Sequence, residues 1–192
     1  MSWFRGLFCA AAVVVLSASV LEASWAFSTR YTLYGRAKVV DVEAPNLLKV
    51  KMLDRDATVT IRLLGVGSPR NRDRTRHLSP EVLVYIRKNG LWETSRSYVR
   101  SLLDNKIVEV WARKWDRLDD KSRLLAYVMI PNQADERLDV NGEIIRNGLG
   151  LVTRDYVHVT FVNYKFLEDD AKKKRRGMWK GLSISQVSSL NE

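Results

Sequence analysis

The 192-residue sequence has a single cysteine, Cys9, and two histidines, His77 and His158. Cys9 lies in an apolar N-terminal stretch, so the remainder of the chain has no disulfide, no thiolate zinc site and no cysteine nucleophile. Leu7 and Phe8 precede Cys9 where a lipoprotein signal needs a small residue, so Cys9 reads as apolar filler. The two histidines have no partner at ligand or triad spacing, which argues against histidine metal or triad chemistry. No internal repeat or low-complexity tract is present. Acid is in short supply: 22 Asp and Glu face 32 Lys and Arg, a net charge of +10. That balance suits a polyanionic partner such as nucleic acid or an anionic lipid surface, and equally suits a basic organellar protein. What is there, 46% hydrophobic and 28% charged residues, places the chain among globular proteins. Its length fits one core with an appended segment.

The appended segment is residues 1–28. Leu7 to Leu21 is an uncharged, mainly apolar run behind Arg5, and Ser24-Trp25-Ala26 offers small residues where a signal peptidase reads. At 1.5 Å per residue the run covers about 22 Å, short of a hydrocarbon core of roughly 30 Å. Extended from Trp3 to Phe27 it reaches across, with Arg5 snorkelling, Glu22 at the far interface and Trp3 and Trp25 as anchors. Two readings follow. One is an uncleaved transmembrane helix in the mitochondrial inner membrane or the secretory pathway. The other is a cleaved signal peptide on a secreted protein.

From Tyr34 the apolar residues alternate: Ala37 and Val39, then Leu48, Val50 and Met52, then Val59, Ile61 and Leu63. This period of two predicts three strands in a meander, with turns at Ala44-Pro45-Asn46 and Asp54-Arg55-Asp56. A polar stretch, Gly67 to Ser79, leads to a helical region from about Pro80 to Leu103, interrupted at Asn89-Gly90. Ile107 to Trp115 and Leu124 to Ile130 read as two more strands across Asp116 to Ser122. A short helix from Val140 to Asn147 ends at Gly148, and a last helix from about Asn163 to Arg176 ends at Gly177. The expected fold class is α+β: a five-stranded OB-type β-barrel with about three helices over residues 29–180. Residues 181–192 read as a frayed tail.

Five segments, in order, carry a family resemblance. Ile61-Arg62-Leu63-Leu64-Gly65-Val66-Gly67-Ser68-Pro69 resembles the Arg-Leu-x-Gly-Ile-Asp-Thr-Pro-Glu motif of the staphylococcal nuclease (thermonuclease) family. Val39-Val40-Asp41 with Asn46 to Val50 resembles its Asp-Gly-Asp-Thr strand pair. Ser122 to Val128 is similar to its Gly-Arg-x-Leu-Ala-Tyr-Val strand. Val140-Asn141 through Gly150 resembles its Val-Asn helix, and Ala171 to Trp179 its closing helix. The last two, behind a membrane segment, also resemble a eukaryotic family of membrane-anchored nuclease-like proteins.

The resemblance implies two aspartates on calcium, a glutamate acting on the attacking water and two arginines gripping the phosphate. The arginines carry over as Arg62 and Arg123. The acids do not: their positions fall on Asn46, on Gly67 (followed by Ser68) and on Arg70. Glycine supplies only backbone, and Arg70 puts a cation where a base should sit, so no metal site is expected and the family's calcium is expected to be lost. A shifted alignment would make Asp41-Val42-Glu43 a replacement pair, at the cost of the Leu48, Val50, Met52 face.

Arg62 and Arg123, with Arg70, Arg72, Arg74 and Arg76 beside His77, form candidate polyanion contacts; acid pairing and a solvated loop are the competing structural readings. Lys172 to Arg176 complement the dipole of the last helix. For Trp92, Trp111, Trp115 and Trp179 core packing is favoured over base stacking. The expected function is a catalytically impaired nuclease-like module with protein partners in a membrane-associated assembly, as an accessory subunit. The rivals are a divergent metal-dependent endonuclease and a non-cleaving nucleic-acid-binding protein.

Overall fold

A computed structural model describes residues 27, 29–70, 78–132 and 137–188. The expected N-terminal hydrophobic helix lies outside these residues, as do Arg72, Arg74, Arg76 and His77. Among the described residues no helix is long and apolar enough to cross a membrane.

Strand β1 (Tyr31–Ala44) is long enough to serve two partners. Tyr31 to Lys38 pairs antiparallel with β5 (Ile107–Arg113), and Ala37 to Ala44 with β2 (Leu47–Met52). Irregularities at Tyr34, Val40 and Glu43 bend it between them. At the first, Gly35 lets the backbone approach Met52, whose Cε would lie 2.7 Å from a β-carbon there. Strand β2 buries Leu48, Val50 and Met52 and exposes Lys49 and Lys51, the alternation read from the sequence. It pairs with β3 (Thr58–Leu63), which buries Ile61 and Leu63.

The large sheet has the order β3-β2-β1-β5-β6-β7, with β6 spanning Leu124–Pro131 and β7 Arg137–Asp139. β3 also pairs in parallel with β6 through Ile61 to Leu63, so the sheet is strongly curled around its apolar face. Leu124 to Val128 are buried on both faces of β6, because the side away from the curl is covered by helix α3 (Val140–Arg146). Asn141 of α3 fixes that contact. Its Oδ1 accepts Val128 N at 3.1 Å, and its Nδ2 donates to Leu64 O at 3.0 Å and Ala126 O at 3.3 Å.

Helices α1 (Pro80–Lys88) and α2 (Leu91–Leu103) are separated at the expected Asn89-Gly90 break, where Gly90 has φ of +57°. α2 buries Leu91, Ser95, Val99 and Leu103, one residue per turn, and packs against β1. Each fully buried Leu or Val contributes about 1.5–3 kcal/mol. Helix α4 (Phe161–Lys173) begins before Asn163 and stops before Arg176, because Arg175 turns left-handed at φ +50°.

The expectation of a five-stranded OB-type β-barrel with about three helices holds as an α+β fold and is corrected to a curled sheet with more strands and helices. Among the described residues there are eight strands, six in the large sheet, with β4 (Val66–Gly67) and β8 (Leu151–Val152) forming a separate pair. The described residues hold five helices, the fifth being α5 (Ile184–Ser188), and one 3-10 turn, Gly177–Gly181. Strands of two or three residues are too short to show a period of two. Where a frayed tail is expected from Gly181 onward, Leu182 is buried and Gly181 lies against Val82 and Tyr85 of α1. The fifth strand stops at Arg113, ahead of Trp115, which is 56% exposed instead of packed in the core.

Two glycines close the scaffold. Gly148 ends α3 at φ +64° and Gly177 follows α4 at φ +52°. A β-carbon on Gly148 would strike Arg176 O, and one on Gly177 would strike Gly148 O. The approach lets Met178 N donate to Gly148 O at 2.9 Å.

Candidate functional site

Register gathers the sequence-derived positions at one end of the sheet. Arg62 stands opposite Leu47 of β2 and Leu125 of β6, so Asn46 lies one residue and Arg123 two residues before its partners in sequence. Ile61 and Leu63 point into the core, which turns Arg62 to the outer face of β3.

Both arginines are already paired within the chain. Arg123 Nε and Nη2 each lie 2.6 Å from Asp119 Oδ2, while Asp119 Oδ1 accepts the amides of Lys121 and Arg123 at 2.9 Å. The Asp119 side chain has no exposed surface. Burial alone would raise its carboxyl, but the hydrogen bonds from Arg123 and from the two amides prevail and hold it below the usual carboxylate range. Asp119 thereby orders the Asp119 to Arg123 turn, in which Ser122 takes φ +56°. Arg62 Nη2 lies 3.3 Å from Asp155 Oδ2, in the segment between β8 and α4. Burial, and then the nearby Arg123 guanidinium, lower the proton affinity of Arg62, while Tyr156, Asp119 and Asp120 oppose the shift. An arginine stays protonated through such a shift, so this position favours a nearby anion. Tyr156 Oη donates to Asp120 Oδ1 at 3.2 Å. Burial, followed by Asp119 and Asp120, pushes the Tyr156 phenol up and keeps it a donor.

The remaining positions are engaged elsewhere. Asn46 is buried; its Nδ2 donates to Val66 O at 2.9 Å and its backbone carbonyl accepts Leu63 N at 3.0 Å, which ties the β1–β2 turn to the exit of β3. Gly67 is buried in β4 opposite Leu151. Ser68 Oγ accepts Arg70 N at 3.4 Å. The Arg70 guanidinium lies 5.0 Å over the Trp92 ring, with that of Arg96 at 5.6 Å. Asp41 Oδ1 lies 3.0 Å from Arg100 Nη2 and accepts Val42 N at 2.8 Å, and Glu43 is exposed. Among the described residues no three His, Cys, Asp or Glu side chains gather to hold a metal.

His158 is a core residue, with Nε2 3.0 Å from Thr153 O and Nδ1 3.1 Å from Thr160 Oγ1; burial lowers its pKa. Trp179 is buried, Trp111 half-buried against Phe27, and Trp92 carries the two arginines. Sequence reasoning missed Asp119, Asp155, Asp120 and Tyr156. Asp119 has a local signal, an aspartate four residues before an arginine in a turn-forming stretch. Asp155 lies 93 residues from Arg62, and nothing local announces that pair.

Comparison with known proteins adds two findings. The family model described as "Staphylococcal nuclease homologue" matches residues 60–181, more than half of the chain. The span contains Arg62, Gly67, Ser68, Arg70 and Arg123 and begins after Asn46. Among curated relatives, "Probable endonuclease LCL3" of Clavispora lusitaniae (strain ATCC 42720) is 27% identical over 129 residues, 65% of this chain and 49% of the relative. "Probable endonuclease lcl3" of Botryotinia fuckeliana (strain B05.10) is 26% identical over 136 residues, 66% of this chain and 44% of the relative. The chain thus spans half or less of the length of these two relatives.

Proposed function

From the premise that this chain belongs to the staphylococcal nuclease homologues, we propose that its nuclease-like domain is catalytically impaired and serves as a binding or assembly module at a membrane. The observation that carries this reading is the internal neutralisation of both phosphate-gripping positions: Arg123 by Asp119 and Arg62 by Asp155. A phosphate arriving there would have to displace carboxylates already in place. The donor set does not fit calcium, which takes six to eight oxygens and favours carboxylates. The Asn46 amide is engaged with Val66 O, Gly67 brings only backbone, and Arg70 brings a positive charge onto Trp92. Among the described residues no carboxylate stands at these positions to hold a metal or to act as the base, so nothing there generates the nucleophile. The membrane part of the proposal rests on the apolar run Leu7 to Leu21, and the partners are then proteins of a membrane assembly to which this chain is an accessory.

The names of the two relatives favour a second reading, a divergent metal-dependent endonuclease. It would draw on Asp41 or Glu43, and Asp41 would first have to leave Arg100. Purified full-length chain, incubated with single-stranded DNA or RNA and calcium, magnesium or manganese, distinguishes the two. The impaired reading expects both substrates intact. Metal-dependent cleavage that stops on chelation and in Asp41→Ala would overturn it in favour of the enzyme.

A further inference from the structure

We infer that the face formed by Arg30, Arg113, Trp115 and Val157 lies against an anionic phospholipid surface, beside the point where the N-terminal apolar segment joins the domain. The inference deepens the membrane reading above and rests on it. Three observations carry it. These four residues line one cleft with Tyr31, and Trp115 and Val157 are 56% and 72% exposed. Nothing in the fold explains so much apolar surface at that place, since the fifth strand has already ended at Arg113.

The tether is short. Phe27 stacks on Tyr31 with ring centroids 5.0 Å apart, and Tyr31 lines the cleft. Six residue steps separate Phe27 from Leu21, the end of the apolar run. A chain advances at most about 3.6 Å per residue, so the run ends within roughly 20 Å of Phe27. If the run is inserted in a bilayer, this face cannot be far from the headgroups.

The chemistry matches that location. Beyond half-buried Arg113 at the end of β5, the exposed loop Lys114 to Leu118 bears Lys114 and Arg117 against the single acid Asp116, and exposed Arg30 adds a further cation. Basic side chains are drawn to anionic headgroups, and tryptophan prefers the interfacial layer. A tryptophan amid cations, standing out from a folded surface, suits that layer better than water.

The test uses full-length chain reconstituted into phosphatidylcholine vesicles with or without phosphatidylserine, prepared with and without brominated acyl chains. Emission of the wild type minus that of Trp115→Phe isolates Trp115 from the other tryptophans. The inference expects bromine to quench this difference only when phosphatidylserine is present. Arg30→Gln with Arg113→Gln should lower the docked fraction, by about five-fold in its equilibrium for each charge removed. Retention after an alkaline carbonate wash reports on the anchor separately. Chain retained, with Trp115 emission indifferent to bromine, overturns the inference and leaves the anchor standing. Equal quenching in uncharged vesicles overturns the anionic assignment. A Trp115 signal that follows the number of chains per vesicle and ignores bromine points to a second copy and overturns it too. Release by carbonate defeats the anchored reading and this inference together.

Discussion

Two regions of the large sheet have kept different things. Where β6 meets α3, polar groups hold the scaffold: Asn141 clamps Leu64, Ala126 and Val128, and the left-handed Gly148 and Gly177 let two helix ends touch. Where β2 and β6 flank β3, the positions that resemble a phosphodiesterase centre have been absorbed into the same kind of bonding. Asn46 ties a turn, and Arg123 and Arg62 hold Asp119 and Asp155. An arginine whose partner is a carboxylate of its own chain contributes to the stability of a loop, and a substitution there should be read in a melting curve before it is read in an activity assay.

This comparison can be broken, most easily where the effect is largest. Asn141→Ala leaves buried backbone groups without partners, and about 3 kcal/mol of stability should be lost, measured by urea unfolding of the full chain. A loss under about 1 kcal/mol would mean that the clamp is dispensable. Gly148→Ala forces a left-handed residue and a collision with Arg176 O, so a loss of about 2–3 kcal/mol and a lower thermal midpoint are expected.

On the other side of the comparison, Arg123→Ala leaves the buried Asp119 charge unpaired and should cost about 2 kcal/mol. Arg62→Ala, whose partner is partly solvated, should cost less than about 1 kcal/mol. If Arg123→Ala left stability unchanged yet abolished nucleic-acid binding, the site would be a working phosphate grip and the structural interpretation would fall. Salt dependence of that binding would confirm phosphate contact.

The smallest effect is in the acid limb. Asp119 holds its proton less tightly folded than unfolded, so its contribution is present above the unfolded value near about pH 4 and fades as pH falls through the lower folded value. Glu168 behaves alike: burial pushes its carboxyl up, but Lys172, then Lys165 and the Val152 amide, bring it below the usual range. Stability should therefore drop below about pH 4, and Asp119→Asn should flatten that drop.

Much of the scaffold was legible in the sequence because its signals are local. Period-two alternation marked β2 and β3, Asn89-Gly90 marked the break between helices, and Gly148 and Gly177 marked two helix ends. The two-residue strands β4 and β8 were not, since they consist of only two residue pairs, Val66 with Val152 and Gly67 with Leu151, whose members lie far apart in the chain. The site was half legible. The residue types at Asn46, Gly67 and Arg70 could be read directly, and they already speak against a carboxylate cage. What occupies the two arginines could not be read.

By itself the sequence determined which side chains are available: no thiol in the folded part, no paired histidines, and guanidinium groups with few acids at the carried-over positions. Only the tertiary structure decided how those charges are balanced, because Asp155 reaches Arg62 through the packing of β8 and α4 against the sheet, and Trp115 is exposed where the chain leaves its strand. Alternation and helix breaks are short-range properties written in neighbouring residues. Ion pairing depends on distance in space, which chain order does not encode until the sheet has curled.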